Sequence, residues 1–148
     1  MTYDIRIDTV QPHAIAAVRA RWTRETLPSV IRASLDQVYA FLNGQPQLSR
    51  GHNIVIYHSR SELEAGVQVS AAFEGAGPVQ PSATPGGRVA RTLHRGPYAR
   101  IGEANDAIHH WCRENGHKIS GLSWEVYGDW AENEADLETE ILWQVKDP

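Results

Sequence analysis

Tyr39-Ala40-Phe41-Leu42-Asn43-Gly44 and, 72 residues later, Trp111-Cys112-Arg113-Glu114-Asn115-Gly116 decide the fold of this chain. Each stretch is the end of a helical pattern closed by the same Asn-Gly dipeptide, and both residue types accept the left-handed backbone that often terminates a helix. Working back from the first, Leu27, Ile31, Leu35, Val38 and Leu42 recur with the 3.6-residue period of one buried stripe. Thr26 stands where an N-cap belongs, and Pro28 falls in the tolerated first turn. Working back from the second, Ile101, Ala104, Ile108, Trp111 and Cys112 mark another helix.

The repetition extends beyond the helices. Tyr57 precedes Tyr127 by 70 residues, and Glu64, Gln68 and Val69 precede Glu140, Gln144 and Val145 by 76. The drifting offset implies loops of unequal length. Alternating or β-rich runs predict strands at Tyr3–Val10, Ala14–Trp22, His52–His58 and Leu63–Phe73, then at Arg88–His94, Leu122–Trp130 and Thr139–Val145. Glu74–Gly87, with four Gly and three Pro, has no hydrophobic period and reads as a linker. The expectation is a single domain over 1–148, with a first half 1–73, a linker 74–87 and a second half 88–148. The fold class is α+β. Two pseudo-symmetric βαββ modules would form one mostly antiparallel sheet, with two helices on one face and a ligand groove on the other.

Composition excludes several classes of function. The 148 residues are 41% hydrophobic, enough for a core. No apolar run reaches the ~20 residues of a membrane span, and Met1-Thr2-Tyr3-Asp4 does not begin a signal peptide, so a cytoplasmic location and no membrane partner are expected. The net charge of −4 comes from 14 basic and 18 acidic residues. Scattered cations do not make a phosphate-binding surface, so direct nucleic-acid binding is not expected. Cys112 is the only cysteine and lies in a helical pattern, as a small buried apolar group does. The seven histidines have no metal-ligand spacing; neither a metal nor a cofactor is expected. Five Trp and five Tyr stand against two Phe. Such rings, apolar with a polar handle, serve cores and ligand pockets alike.

His94-Arg95-Gly96-Pro97-Tyr98, the helix end Trp111–Gly116, Ser123-Trp124-Glu125-Val126-Tyr127, Thr139-Glu140-Ile141 and, in the first half, Leu63-Glu64-Ala65-Gly66-Val67-Gln68-Val69 together resemble the GyrI-like (gyrase-inhibitor-like) effector-binding domain, over nearly the whole chain. The resemblance implies two βαββ (SHS2) modules around a ligand groove. It also implies one of the family's roles: the ligand-binding half of AraC- or MerR-type multidrug regulators, toxin protection, or hydrolysis of cyclopropane-bearing genotoxins. The family's pocket glutamate corresponds to Glu125. Trp143-Gln144 departs from the small or proline residues frequent in the family's closing strand.

Strand alternation puts Glu125 and Tyr127 on one face and Trp124 and Val126 on the other. If Trp124 and Val126 pack against the helices, Glu125 faces the groove. A carboxylate there must be offset by a ligand cation or by a raised pKa. Glu125 and Tyr127 are thus the candidate catalytic residues, should the protein be an enzyme. The candidate ligand-binding residues are Glu125, Tyr127, Tyr57, Trp22, Trp111, Trp143, Tyr39 and Phe73. Trp111 and Tyr39 lie on or beside helical stripes, where core packing competes with a pocket role. Glu64 and Glu140 occupy equivalent strand positions and read as structural or surface residues. The leading expectation is a stand-alone binding protein for amphipathic, cationic or aromatic compounds. The alternative is a hydrolase that opens a cyclopropane ring with Glu125, and a protein partner is a third, weaker reading.

Overall fold

The computed structural model describes residues 2–147. In chain order the elements are β1 (Arg6–Val10), β2 (Ala14–Arg21), α1 (Leu27–Asn43), β3 (Arg50–Tyr57), β4 (Glu62–Val69), β5 (Val79–Ala83), β6 (Gly87–Arg95), α2 (Ile101–Glu114), β7 (Ile119–Tyr127) and β8 (Glu138–Val145). Short 3-10 turns lie at Tyr98–Arg100 and Glu134–Asp136. The class is α+β, as expected, and the chain divides into two compact units. Each repeats the same plan.

The first unit is Pro12–Pro85. Its strands pair antiparallel in the order β3-β4-β2-β5. The apolar stripe of α1 lies on one face of this sheet: Val38 and Leu42 join Ala16, Val18, Leu48, Val67 and Val79 in one buried cluster. Pro28 sits in the first turn, as read. Thr26 is the N-cap residue, but its hydroxyl does not cap the helix; it accepts from the Thr23 N–H at 2.9 Å. Gly44 closes the helix at φ −91°, without the expected left-handed step.

The second unit combines residues up to Gln11 with those from Gly86 onward, and its strands pair antiparallel in the order β1-β6-β8-β7. Ile101, Ala104, Ile108 and Cys112 of α2 bury against Ala90, Ile141 and Val145. Here the Asn-Gly ending does use the left-handed region, with Gly116 at φ +75°. Burial pushes the Cys112 thiol pKa up, as befits a packed rather than reactive cysteine.

Two boundaries differ from the sequence reading. The stretch 74–87 is no bare linker, because it contains β5, paired with β2. Pro81 fits there because, among the described residues, β5 has one strand neighbour only. The first strand, β1, pairs with β6 and so belongs with the second half.

The register makes the repeat exact enough to compare position by position. Tyr57 pairs with Leu63 and Tyr127 with Thr139; Val55 pairs with Ala65 and Glu125 with Ile141. Ala20 pairs with Leu63 and His94 with Thr139. Both hairpins shift register at the same place, before Asn53 and before Ser123. The tyrosine is therefore common to both halves. Val55, Leu63 and Ala20 of the first correspond to Glu125, Thr139 and His94 of the second.

Candidate functional site

Glu125 lies in β7 and is only 7% exposed. Its Oε1 accepts a hydrogen bond from the Tyr127 hydroxyl at 2.6 Å. Both side chains project from the face that α2 covers: Tyr127 packs against the α2 cluster, and Ile141, opposite Glu125, is a member of it. The condition weighed from sequence, Trp124 and Val126 packing against the helix, is not met. Alternation separates the two faces of a strand but does not say which one a helix will cover. Trp124 is buried on the other face. A carboxylate at this depth is costly to desolvate, and the Val55 counterpart shows that the half-fold itself does not need one.

Tyr127 stands edge-on to Tyr98, with ring centroids 5.6 Å apart and planes at 85°. Tyr98 is 44% exposed, in the short turn that follows the buried His94 and Gly96. The structure thus groups Glu125, Tyr127 and Tyr98. In the other unit it groups Tyr57 with Trp22, edge-on at 5.6 Å and 74°. The Trp22 indole N–H and the Thr139 hydroxyl are the buried side-chain polar atoms without a hydrogen-bond partner among the described residues.

The remaining candidates are placed differently. Trp143 donates its indole N–H to Asn105 Oδ1 of α2 at 2.8 Å and meets His109 edge-on at 4.4 Å. Trp111 stacks on His117 at 5.4 Å and packs against the α2 cluster. Tyr39 donates to Asn53 and lies under the Arg50 guanidinium, 5.7 Å from its ring. Phe73 packs against Phe41 in the α1 cluster. Trp143 and Tyr39 tie a helix to a strand, and each of the four rings is occupied by protein neighbours. Glu64 and Glu140 sit in strand register with Ile56 and Val126, on the face away from Val55 and Glu125. Glu64 bonds His58 at 2.7 Å and Glu140 bonds Arg91, so both are committed to pairs. Tyr98, Thr139 and His94 were not singled out as site residues from sequence. The available signal was a polar residue at a buried position whose repeat partner is apolar. Among the described residues no three His, Cys, Asp or Glu side chains could hold a metal, and no helix is long and apolar enough to cross a membrane.

The GyrI-like small molecule binding domain family matches residues 3–146. The chain belongs to that family. No curated protein matches this GyrI-like chain by sequence. Among solved structures it is similar to the C-terminal domain of EcmrR, with TM-score 0.84 and 18% identity over 100% of both chains. It is also similar to SAV2435 bound to tetraphenylphosphonium, with TM-score 0.71 and 9% identity over 99% of this chain and 94% of that one. A hydrolase from Listeria innocua matches with TM-score 0.66 and 9% identity, over 97% and 92% of the two chains. At such identities the likeness establishes the fold shared with this GyrI-like domain.

Proposed function

We propose that this GyrI-like domain binds amphipathic organic cations bearing aromatic groups, with Glu125 as the charge anchor and Tyr127 and Tyr98 as its aromatic surroundings. The observation that carries this reading is the buried carboxylate itself. Its repeat counterpart, Val55, is an apolar residue of the same architecture, so Glu125 serves something other than folding. An organic cation offsets the desolvation of a carboxylate and gains from neighbouring π faces. SAV2435, a structural neighbour, is bound to such a cation. Calorimetric titration with tetraphenylphosphonium tests the reading: saturable binding that Glu125→Gln removes supports it, and absence of binding by the parent protein defeats it.

A second reading is favoured by one contact. The phenol of Tyr127 and the carboxylate of Glu125, 2.6 Å apart, form a pair able to pass a proton. In a hydrolase, water would add across a strained ring bond of the substrate. Its oxygen would bond to the electrophilic carbon while Glu125 takes its proton, and the other ring carbon would receive a proton. A cyclopropane-bearing genotoxin converted to a product heavier by one water would identify the enzyme; unchanged compound retained on the protein would identify the binder.

A further inference from the structure

The Asn-Gly dipeptide that ends each helix is also a reactive one. In such a pair the backbone nitrogen of the glycine can attack the side-chain carboxamide of the asparagine, because glycine has no side chain to hinder the approach. Asn43, Gly44, Asn115 and Gly116 are all exposed, yet the two copies sit in different surroundings.

Asn43 is the last residue of α1, and its Oδ1 accepts from the Arg50 guanidinium at 2.9 Å. The Gly44 N–H donates to the Phe41 carbonyl at 3.1 Å, and the Gln45 N–H behind it to the Leu42 carbonyl at 2.9 Å. The attacking nitrogen and the carboxamide are therefore both held. Asn115 lies just outside α2, at φ −103° and ψ 9°. Its backbone N–H and its Nδ2 both donate to the Trp111 carbonyl, at 3.0 and 2.9 Å, so the nitrogen held there is the one that would leave. The Gly116 N–H has no acceptor among the described residues. Gly116 stands at φ +75°, with no heavy atom within 4 Å of the place a Cβ would take. At ψ 9° its nitrogen is turned away from Cγ of Asn115, so reaction requires rotation about the Asn115 Cα–C bond. Open space around Gly116 keeps that motion local, and the bond that closes the turn, from the His117 N–H to the Cys112 carbonyl at 2.9 Å, is what it gives up.

We propose that Asn115 is a site of spontaneous covalent modification through a succinimide formed with Gly116, that conversion loosens the end of α2, and that the fold protects Asn43 from the same reaction. The Gly116 nitrogen gives its proton to solvent and bonds to Cγ of Asn115. The Cγ–Nδ2 bond breaks, and Nδ2 takes up a proton and leaves as ammonia. Water then opens the ring. Addition at Cγ breaks the new bond and leaves aspartate. Addition at the backbone carbonyl carbon breaks the original peptide bond and leaves isoaspartate, in which the chain runs through the side chain. The net change is ammonia exchanged for water, with nothing oxidised or reduced. Either product places a negative charge at the C-terminal end of α2, where the helix dipole is already negative. Either also replaces the Nδ2 donor to Trp111 by a carboxylate oxygen, which only accepts. Isoaspartate further lengthens the main chain within the turn that brings His117 onto Trp111.

The full chain is aged in mildly alkaline buffer, folded and in denaturant, and its peptides are mapped by mass spectrometry. In the folded protein the peptide holding Asn115 should become heavier by the difference between water and ammonia, and an isoaspartyl-specific methyltransferase should label it. The peptide holding Asn43 should stay unchanged. In denaturant the two should convert at comparable rates. Asn115→Gln, whose longer side chain closes such a ring far more slowly, should leave its peptide unchanged. Asn115→Asp reproduces the charge without altering the main chain and should lower the melting temperature by about 2–4 °C. No conversion at Asn115 in the folded protein, or equal conversion at Asn43, overturns the inference. A difference that persists in denaturant overturns the protection by the fold, since it then belongs to the local sequence. An Asn115→Asp protein that melts at or above the parent temperature overturns the effect on α2.

Discussion

Replacing Glu125 by glutamine tests the site at its most sensitive point. Glutamine keeps the reach of the side chain and still accepts the Tyr127 hydroxyl, but carries no charge. At a separation of about 4 Å and an effective dielectric of about 20, a cation and a carboxylate attract by about 4 kcal/mol. Truncating one member of a buried pair typically costs about 3–5 kcal/mol, of which part is the charge left uncompensated. At about 1.4 kcal/mol per decade, the dissociation constant for tetraphenylphosphonium should rise by about a hundredfold to a few thousandfold. Glu138, whose side chain is 44% exposed beside Arg95, supplies the control. An exposed pair contributes about 0–1 kcal/mol, so Glu138→Gln should change affinity by less than about fivefold. Neutral triphenylphosphine oxide, titrated in the same calorimeter, should bind the Glu125→Gln protein as it binds the parent. Glu125→Val imports the residue that the other half uses and should leave the melting temperature equal or higher, since a buried carboxylate is replaced by an apolar group. Affinity for the phosphonium within about tenfold of the parent after Glu125→Gln, or an equal loss after Glu138→Gln, would refute the assignment.

Other consequences of the structure can be read by thermal melting. Thr139→Val exchanges a buried hydroxyl without a partner for a methyl group of the same shape and should stabilise the protein by about 1 kcal/mol. Trp143→Phe removes the indole bond to Asn105 and should destabilise by about 1–3 kcal/mol, while phosphonium affinity, measured by titration, stays within about twofold. Gly96→Ala should destabilise by about 1–3 kcal/mol through backbone strain alone, because the nearest heavy atom to an added Cβ, His94 Nε2, is 3.8 Å away. Burial lowers the His109 pKa below its ordinary 6.5, so the folded state binds that proton more weakly than the unfolded chain. Its contribution to stability is complete above that pH and falls as the solution is acidified through it; His109→Gln should flatten the melting profile between pH 7.5 and 5.

Periodicity was sufficient for the helices and for most strands, because one buried stripe or one buried face leaves a regular mark. The edge strand β5 left none, since Val79 is its one buried residue and Pro81 and its neighbours look like a linker. The site was legible as residue types rather than as a surface. Glu125 and Tyr127 share a face by alternation, yet that this face bears α2 depends on where the stripe from Ile101 to Cys112 docks, which is tertiary information. The aromatic residues depend on tertiary partners in the same way. Trp143 and Tyr39 satisfy their polar handles on Asn105 and Asn53, partners 38 and 14 residues away that no local pattern announces. A better signal lay in the repeat itself. Some register positions carry the same kind of side chain in both halves, as Tyr57 and Tyr127 or Glu64 and Glu140 do. Where a buried apolar residue of one half becomes polar in the other, folding alone gives no reason for the exchange, since the polar group must be desolvated and partnered. Val55 to Glu125 and Leu63 to Thr139 are such exchanges, and the half-buried Ala20 stands opposite the buried His94 in the same comparison; all three polar residues lie around Tyr127. Finding them requires aligning the halves to the residue. The offset drifts from 70 at the tyrosines to 76 at the closing strands, so the comparison becomes decisive only when strand register fixes which residues face each other.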